Sequence, residues 1–161
     1  FGYRELAIKV QVGWNELVVI KSLAEEDIAV NCTCCMTVNQ AVMAAAAGAK
    51  LVSLFWARIR DGGTEKHADS RDAYLKEGVV EKDDFDPFYV VRETRKVFDA
   101  AYPGVEIIAG SMRSAADVKN AGLAGAHIVT VPPKFFPQMI SHYKTDEVVQ
   151  QFLTDFAEWL K

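Results

Sequence analysis

Short apolar segments alternate with helical segments along most of this chain, and this alternation constrains the fold more than any other feature. Five segments have the apolar pattern of strands, and a helical pattern follows each of them. The predicted strands cover residues 6–12, 28–33, 50–56, 105–109 and 126–131. Because strands that alternate with helices form parallel sheets with right-handed crossovers, the sequence predicts an α/β fold with a parallel sheet.

Local signals mark where several of the helices begin. Thr37 is a predicted N-cap for an alanine-rich helix. Pro87 stands in the first turn of a helix predicted over residues 86–101, where its missing N–H costs nothing. Ser114 is a predicted N-cap with Asp117 at the acid position of a capping box.

The stretch from residue 61 to residue 84 interrupts the alternation. It is rich in charged residues and glycine, so we expect a long solvated loop on the surface. A lid or an oligomer contact is the functional alternative. We otherwise expect a single domain over residues 1–161, because 161 residues are enough for one substantial core.

Composition and charge limit the partners and the compartment. A net charge of −4 argues against nucleic-acid or membrane-surface binding, and no apolar run is long enough to span a bilayer. Three cysteines, Cys32, Cys34 and Cys35, are too close together for a disulfide framework and lack the spacing of a zinc site. We expect buried thiols, no metal and a cytoplasmic protein.

The first strand carries a lysine on its polar face. Side chains alternate along a strand, so Lys9 shares a face with Ala7 and Gln11, and the opposite face is aliphatic. Desolvation favours the neutral form of a buried amine, which attacks carbonyl groups. We therefore interpret Lys9 as a Schiff-base lysine. A solvent-exposed lysine on an edge strand is the alternative.

Polar and charged residues collect at the predicted carboxyl ends of the strands, where reactive groups lie in parallel β/α folds. These residues are Lys9, Gln11, Asn31, Thr33, Ser53, Arg58, Ser111, Arg113 and Thr130, and the aromatic Phe55 lies among them. One amine, several hydroxyls and two guanidinium groups suit a small phosphorylated carbonyl compound. Lys9 would attack the carbonyl, and Arg58 and Arg113 would hold the phosphate.

The order of several segments resembles the transaldolase family, including the bacterial fructose-6-phosphate aldolases. The segments are AIKV, WNELVVIKSLAEEDIAVNCT, QAVMAAAAGAKLVSLFWARI, IIAGSMRS and AGAHIVTVPP. The resemblance covers nearly the whole chain apart from residues 61–84. It implies a (β/α)8 TIM barrel and a Schiff-base enzyme that transfers a dihydroxyacetone unit between sugar phosphates. It also implies that no cofactor is needed.

The resemblance also assigns roles to individual residues. Lys9 falls on the position of the nucleophile, and Thr33 on that of a residue that helps proton transfer. The substrate-binding positions of the family are Phe55, Arg58, Ser111 and Arg113, of which the two arginines and the serine contact the phosphate. We add Asn31 to the predicted substrate-binding residues because it lies at a strand end beside Thr33. Phe55 is typical of the transferase branch, because the aldolase branch tends to carry tyrosine there. Gln11 and Gly13 depart from the proline and threonine that the family often has.

The five predicted strands match the fourth to the eighth strands of the family barrel. We expect the first three strands in an upstream part of the natural protein; a truncated form completed by a partner is the alternative. Three functional alternatives stay open: direct aldol cleavage, a non-catalytic barrel fragment that serves assembly, and a sulfonated sugar as another anionic substrate. The expected partners are a phosphorylated or otherwise anionic sugar and further copies of this chain in a homo-oligomer.

Overall fold

Five parallel strands form one sheet in the computed structural model, which describes residues 6–160. They are β1 (Ala7–Gln11), β2 (Ala29–Cys35), β3 (Leu51–Phe55), β4 (Glu106–Gly110) and β5 (Ile128–Val129). Each strand pairs with the next strand along the chain. This topology confirms the predicted α/β fold, and the five consecutive β/α units form part of a TIM-barrel-like domain.

Eight α-helices accompany the strands within the described residues. They are α1 (Trp14–Glu25), α2 (Val38–Ala46), α3 (Trp56–Gly62), α4 (Ala68–Lys76), α5 (Pro87–Ala101), α6 (Ala115–Leu123), α7 (Phe136–Ile140) and α8 (Tyr143–Trp159). The backbone groups into two compact units, with the division between Val131 and Pro132. None of the helices in residues 6–160 is long and apolar enough to cross a membrane.

The core lies between one face of the sheet and the helices that cover it. The strand residues that alternate onto this face are aliphatic or small and almost wholly buried: Val30, Cys32, Val52, Leu54, Ile107 and Ala109. The helices contribute Ile20, Ala41, Ala44, Val90, Val91 and Phe98. Burial of one face leaves the other face of each strand for the polar residues, as the period-two pattern requires.

The predicted N-caps are confirmed. The Thr37 hydroxyl accepts a hydrogen bond from the backbone N–H of Gln40 at 3.2 Å, at the start of α2. The Ser114 hydroxyl accepts one from the backbone N–H of Asp117 at 3.0 Å, at the start of α6. Pro87 is the first residue of α5, as its position in the sequence predicts.

The prediction of a loop over residues 61–84 is wrong. The segment contains the end of α3, the whole of α4 and two 3-10 turns at Glu65–His67 and Lys82–Phe85. Helix α4 is possible because its nine residues lack glycine and proline, and Gly78 then ends the helical stretch with a φ of 69°. The charged residues of this segment lie on the exposed surface of helices rather than in an irregular loop.

The prediction of buried thiols holds for two of the three cysteines. Cys32 and Cys35 are buried, with their sulfur atoms 3.9 Å apart, whereas Cys34 is exposed. The register between β2 and β3 shifts between Cys32 and Cys35, and Cys34 has a φ of 65°. This bulge interrupts the alternation of side chains and turns Cys34 out of the core.

Gly48 occupies a backbone conformation that a larger residue would strain. Its φ is 101°, and a Cβ atom added there would lie 2.7 Å from the Cβ of Ala24. We expect Gly48→Ala to lower the free energy of unfolding by about 1–2 kcal/mol, measured by urea denaturation.

Gly122→Ala is the matched control. Gly122 lies inside α6, and a Cβ there would meet no atom within 4 Å. Alanine is the better helix former, so we expect this variant to gain up to about 1 kcal/mol. Equal effects of the two substitutions would contradict the strain at Gly48.

Candidate active site

The predicted nucleophile and two predicted site residues lie on one face of β1 and β2. In the parallel register Lys9 pairs with Asn31, and Gln11 pairs with Thr33. Paired residues of neighbouring strands project to the same face, and residues two apart on one strand share that face. Lys9, Asn31 and Thr33 therefore share the face opposite the helix-covered core.

A hydrogen bond extends this face to β3. The Ser53 hydroxyl donates to the Asn31 side-chain oxygen at 2.7 Å. Because the oxygen of the amide is turned toward Ser53, the amide nitrogen, a donor, is turned away from it. Ser53 thus orients Asn31, a role that the sequence analysis did not assign.

Phe55 and Thr130 lie on the same face as Ser53, and Gly110 makes space for them. A Cβ atom built on Gly110 would lie 3.5 Å from the Thr130 hydroxyl oxygen and 3.7 Å from the Phe55 ring. Phe55 pairs with Gly110 in the register of β3 and β4. The aromatic ring and the hydroxyl therefore approach each other across a position that has no side chain.

Lys9 and Thr33 differ in their exposure. Lys9 is exposed, because within residues 6–160 strand β1 pairs on one side only. The expectation of a buried amine is wrong for the described residues, which do not supply the desolvation. Thr33 is 9% exposed, and its buried hydroxyl has no hydrogen-bond partner among the described residues. An unpaired hydroxyl on this face is available to a substrate or a water molecule.

Arg58 and Arg113 follow the carboxyl ends of two neighbouring strands, β3 and β4. Arg58 is exposed and lines a cavity of about 430 Å³ whose other walls include Tyr74 and Val79 of the 61–84 segment and the adjoining Phe85. Arg113 is exposed and forms a two-pronged ion pair with Asp61, in which Nη1 donates to Oδ1 at 2.7 Å. The two arginines thus lie at the same edge of the sheet, and Arg113 already has an anionic partner.

Asp61 lies in a positively charged environment. The hydrogen bond from Arg113 holds the pKa of the Asp61 carboxyl below its usual range, and the positive charges of Arg113, Arg60 and Arg58 act in the same direction. The positive charges of three guanidinium groups thus act on Asp61, and that of Arg113 is in direct contact with it. The sequence did not predict that Asp61 is the ion-pair partner of Arg113.

Ser111, the third predicted phosphate contact, has an unusual backbone conformation. It directly follows β4, is half-buried and has a φ of 63°. Residues other than glycine rarely adopt this region, and such outliers concentrate at functional sites. The strained position turns the chain between β4 and Arg113.

Asp117 is the buried carboxylate that joins this turn to α3. It is 4% exposed, and its oxygens accept hydrogen bonds from Trp56 Nε1 at 3.2 Å, Arg60 Nη1 at 3.0 Å and the backbone N–H of Arg113 at 3.0 Å. The predicted capping box is therefore wrong in one half: Ser114 caps the helix, but the carboxylate binds the N–H of Arg113 instead of that of Ser114. Trp56 and Arg60 of α3 donate to the same carboxylate and hold it in this position.

The balance of forces on Asp117 keeps it ionised. Burial by itself raises the pKa of this carboxyl, but the hydrogen bonds from Arg60 and from the Arg113 backbone, the charge of Arg60 and the bond from Trp56 outweigh it and lower the pKa. An ionised Asp117 at neutral pH connects the two segments that carry Arg58 and Arg113.

The model of the Transaldolase/Fructose-6-phosphate aldolase family matches residues 2–160. The chain belongs to this family. The match extends over both compact units, and it confirms the resemblance carried by the Lys9 strand and the strand-end segments.

Individual relatives agree with the family match. A probable transaldolase of Caulobacter vibrioides is 33% identical over 152 residues, which are 94% of this chain and 60% of that protein. Probable transaldolases of Bartonella bacilliformis and Parvibaculum lavamentivorans are each 34% identical, over 95% and 96% of this chain and 61% and 62% of their own lengths. The chain thus spans about three fifths of the length of these transaldolase relatives.

The described residues do not form a metal site. Within residues 6–160 no group of three or more histidine, cysteine, aspartate or glutamate side chains is arranged to hold an ion. The side chains that the fold does bring together on the open face are an amine, an amide, hydroxyls and an aromatic ring. Groups of these kinds are able to hydrogen-bond a polar organic molecule.

Removing the Asp117 carboxylate leaves buried donors unpaired. We expect Asp117→Ala to lower the free energy of unfolding by about 3 kcal/mol at pH 7, because Trp56 Nε1 and the Arg113 N–H lose their acceptor. Urea denaturation measures this loss. Asp99→Ala is the control, since the Asp99–Arg95 pair is exposed and should contribute at most about 1 kcal/mol.

The pH dependence gives an independent check. The folded-state pKa of Asp117 lies below the unfolded value, so the stabilisation is present above pH about 4 and is lost as the pH falls through the folded value. The difference between wild type and Asp117→Asn should therefore shrink on going from pH 7 to pH 3. A difference that is independent of pH would contradict the ionised state.

Proposed function

We propose that this chain carries the catalytic lysine of an enzyme that transfers a dihydroxyacetone unit between sugar phosphates. The observation that carries the proposal is the common face of the sheet, on which Lys9, Asn31 and Thr33 lie together, with the arginines at its carboxyl edge. Membership of the transaldolase/fructose-6-phosphate aldolase family supports an aldolase-type reaction. The Schiff-base step and the transfer are our inference.

The reaction begins at the Lys9 amine. The neutral amine adds to the ketone of a ketose phosphate, and loss of water forms an iminium ion. The iminium accepts the electron pair of the neighbouring carbon–carbon bond when that bond breaks, so an aldehyde leaves and an enamine of dihydroxyacetone remains. The enamine adds to an acceptor aldehyde, and water then releases the new ketose and restores the amine.

The other residues of the face hold the substrate and move protons. The hydroxyl of Thr33, which has no hydrogen-bond partner within residues 6–160, is placed to hold a water molecule or a substrate hydroxyl during proton transfer. Asn31, oriented by Ser53, donates its amide N–H to a hydroxyl of the bound donor. Phe55 shapes the side from which the acceptor enters.

The anionic end of the substrate binds at the carboxyl edge of β3 and β4. Arg58 and Arg113 bind the phosphate, and Ser111 adds a hydroxyl donor from the turn after β4. Asp117 orients this turn through the Arg113 N–H and ties it to α3. The phosphate and the reacting carbonyl would thus lie at different parts of one surface, as a sugar of several carbons requires.

The exposure of Lys9 sets a condition on the proposal. A lysine that attacks a carbonyl needs a desolvated environment, which favours the neutral, nucleophilic form of the amine. Further protein surface, from this polypeptide or from a second copy, must cover Lys9 in the active enzyme. Formation of an iminium at Lys9 would report that this amine is covered and reactive.

Borohydride reduction traps the proposed iminium as a stable adduct. We expect incubation with fructose 6-phosphate and borohydride to add one reduced sugar unit at Lys9, located by intact-mass and peptide mass spectrometry. The Lys9→Ala variant should show no adduct. Lys50→Ala, which removes another exposed lysine, should be trapped like the wild type.

The outcomes separate the alternatives. A folded protein that forms no adduct would favour a non-catalytic fragment or another substrate. With an adduct in hand, a product assay with and without an aldose phosphate distinguishes transfer from direct cleavage. Transfer predicts a new ketose phosphate that appears only with the acceptor, whereas direct cleavage releases free dihydroxyacetone without it.

Loss of either arginine should weaken binding of a phosphorylated donor. We expect Arg113→Gln or Arg58→Gln to raise KM for fructose 6-phosphate at least about tenfold, because each removes a charge-assisted hydrogen bond, with a smaller change for unphosphorylated dihydroxyacetone as donor. Steady-state kinetics with both donors measure this difference. Arg92→Gln, on the exposed side of α5, is the control and should change neither KM. Equal effects on both donors would contradict phosphate contact.

A further inference from the structure

Arg113 is already bound to a carboxylate of its own chain. Its Nη1 and Nη2 groups donate to the two oxygens of Asp61, with the Nη1–Oδ1 distance at 2.7 Å. This is the fork-to-fork geometry in which arginine also binds phosphate. Asp61 and a phosphate group would therefore use the same two donors.

We propose that Asp61 is an internal counter-ion that occupies the anion site and sets its affinity, because a substrate's anionic group must displace it from Arg113. The proposal rests on the proposed function only in taking Arg113 as an anion ligand. It makes Asp61 an affinity-determining residue that lowers anion binding. The alternative is that Asp61 positions Arg113 for the substrate, which predicts the opposite effect of its removal.

The position of Asp61 in α3 favours an electrostatic role. Asp61 lies in the last turn of α3, where the partial negative charge of the helix end disfavours a carboxylate. Arg113 compensates this charge from outside the helix. Asp61 is therefore held at this position by the same positive charge that an incoming anion would use.

The surrounding charges leave room for an anion. Three guanidinium groups, those of Arg58, Arg60 and Arg113, act on Asp61, and Arg60 is paired with Asp117. Arg58 forms no ion pair with the described residues and lines the adjoining cavity. A phosphate dianion that contacts both Arg58 and Arg113 interacts with two positive charges, whereas Asp61 forms an ion pair with Arg113 alone.

Exposure makes the Asp61–Arg113 pair exchangeable. The side chains are 36% and 52% exposed, and pairs of this kind contribute little net stability. The Asp117–Arg60 pair differs, because the Asp117 side chain is 6% exposed and has further donors. Displacement of Asp61 from Arg113 thus costs little free energy, while Asp117 keeps the backbone of the site in place.

The test measures binding of inorganic phosphate to the whole protein by isothermal titration calorimetry at pH 7.5. We expect Asp61→Asn to bind phosphate about fivefold more tightly than wild type, because a competing carboxylate is removed. Asp61→Ser should act in the same direction and provides a second variant. Asp72→Asn, which removes a carboxylate paired with Arg71 on α4, should leave the affinity unchanged.

Unchanged or weaker phosphate binding in both Asp61 variants would overturn the proposal. Wild-type affinity in Arg113→Gln would also overturn it, because phosphate would then bind without the arginine that Asp61 occupies. Borohydride trapping with unphosphorylated dihydroxyacetone is measured in parallel on the Asp61 variants. An adduct at Lys9 there leaves the Schiff-base function intact whatever the phosphate result, so the two proposals fail separately.

Discussion

The arrangement of the site depends on the parallel register of β1, β2 and β3. Pairing of Lys9 with Asn31 and the bond from Ser53 to Asn31 bring an amine, an amide and a hydroxyl to one face. Because side chains alternate, a shift of one residue in either pairing would move a whole set to the helix-covered core. The aliphatic residues on that other face, such as Val30 and Val52, oppose such a shift, since it would expose them. Burial of one face thus determines the chemistry of the other.

Two aspartates near the carboxyl edge show how burial separates a structural role from an exchangeable one. Asp117 is buried and accepts three hydrogen bonds, so its loss leaves donors without partners. Asp61 is partly exposed and pairs with a single guanidinium group, so an external anion can take its place. Both act on the segments that carry Arg58 and Arg113. Asp117 keeps the backbone in position, and Asp61 regulates the access of other anions to the Arg113 guanidinium group.

Patterns that depend on neighbours in sequence predicted much of the fold. Strand and helix alternation predicted the parallel sheet, and the hydroxyls of Thr37 and Ser114 predicted two helix starts. Contacts between distant segments were not predictable in this way. The acceptor role of Asp117 depends on donors some sixty residues earlier, and the exposure of Lys9 depends on which strands flank β1. The helices in residues 61–84 were missed because charged residues suit an exposed helix as well as a loop. Paired tryptophan and arginine donors on one face of α3 were the available signal for a buried acceptor.

The bulge in β2 has a consequence for chemical selectivity. Strict alternation from Thr33 would return Cys35 to the open face, two residues further along the strand. The extra residue opposite β3 changes this phase, so Cys35 pairs with Leu54 and its sulfur lies beside that of Cys32 in the core. Thiols add readily to carbonyl compounds, so the side to which a strand turns a cysteine affects which electrophiles that cysteine can meet. A small irregularity of the backbone therefore withdraws the sulfur of Cys35 from the face that carries Lys9.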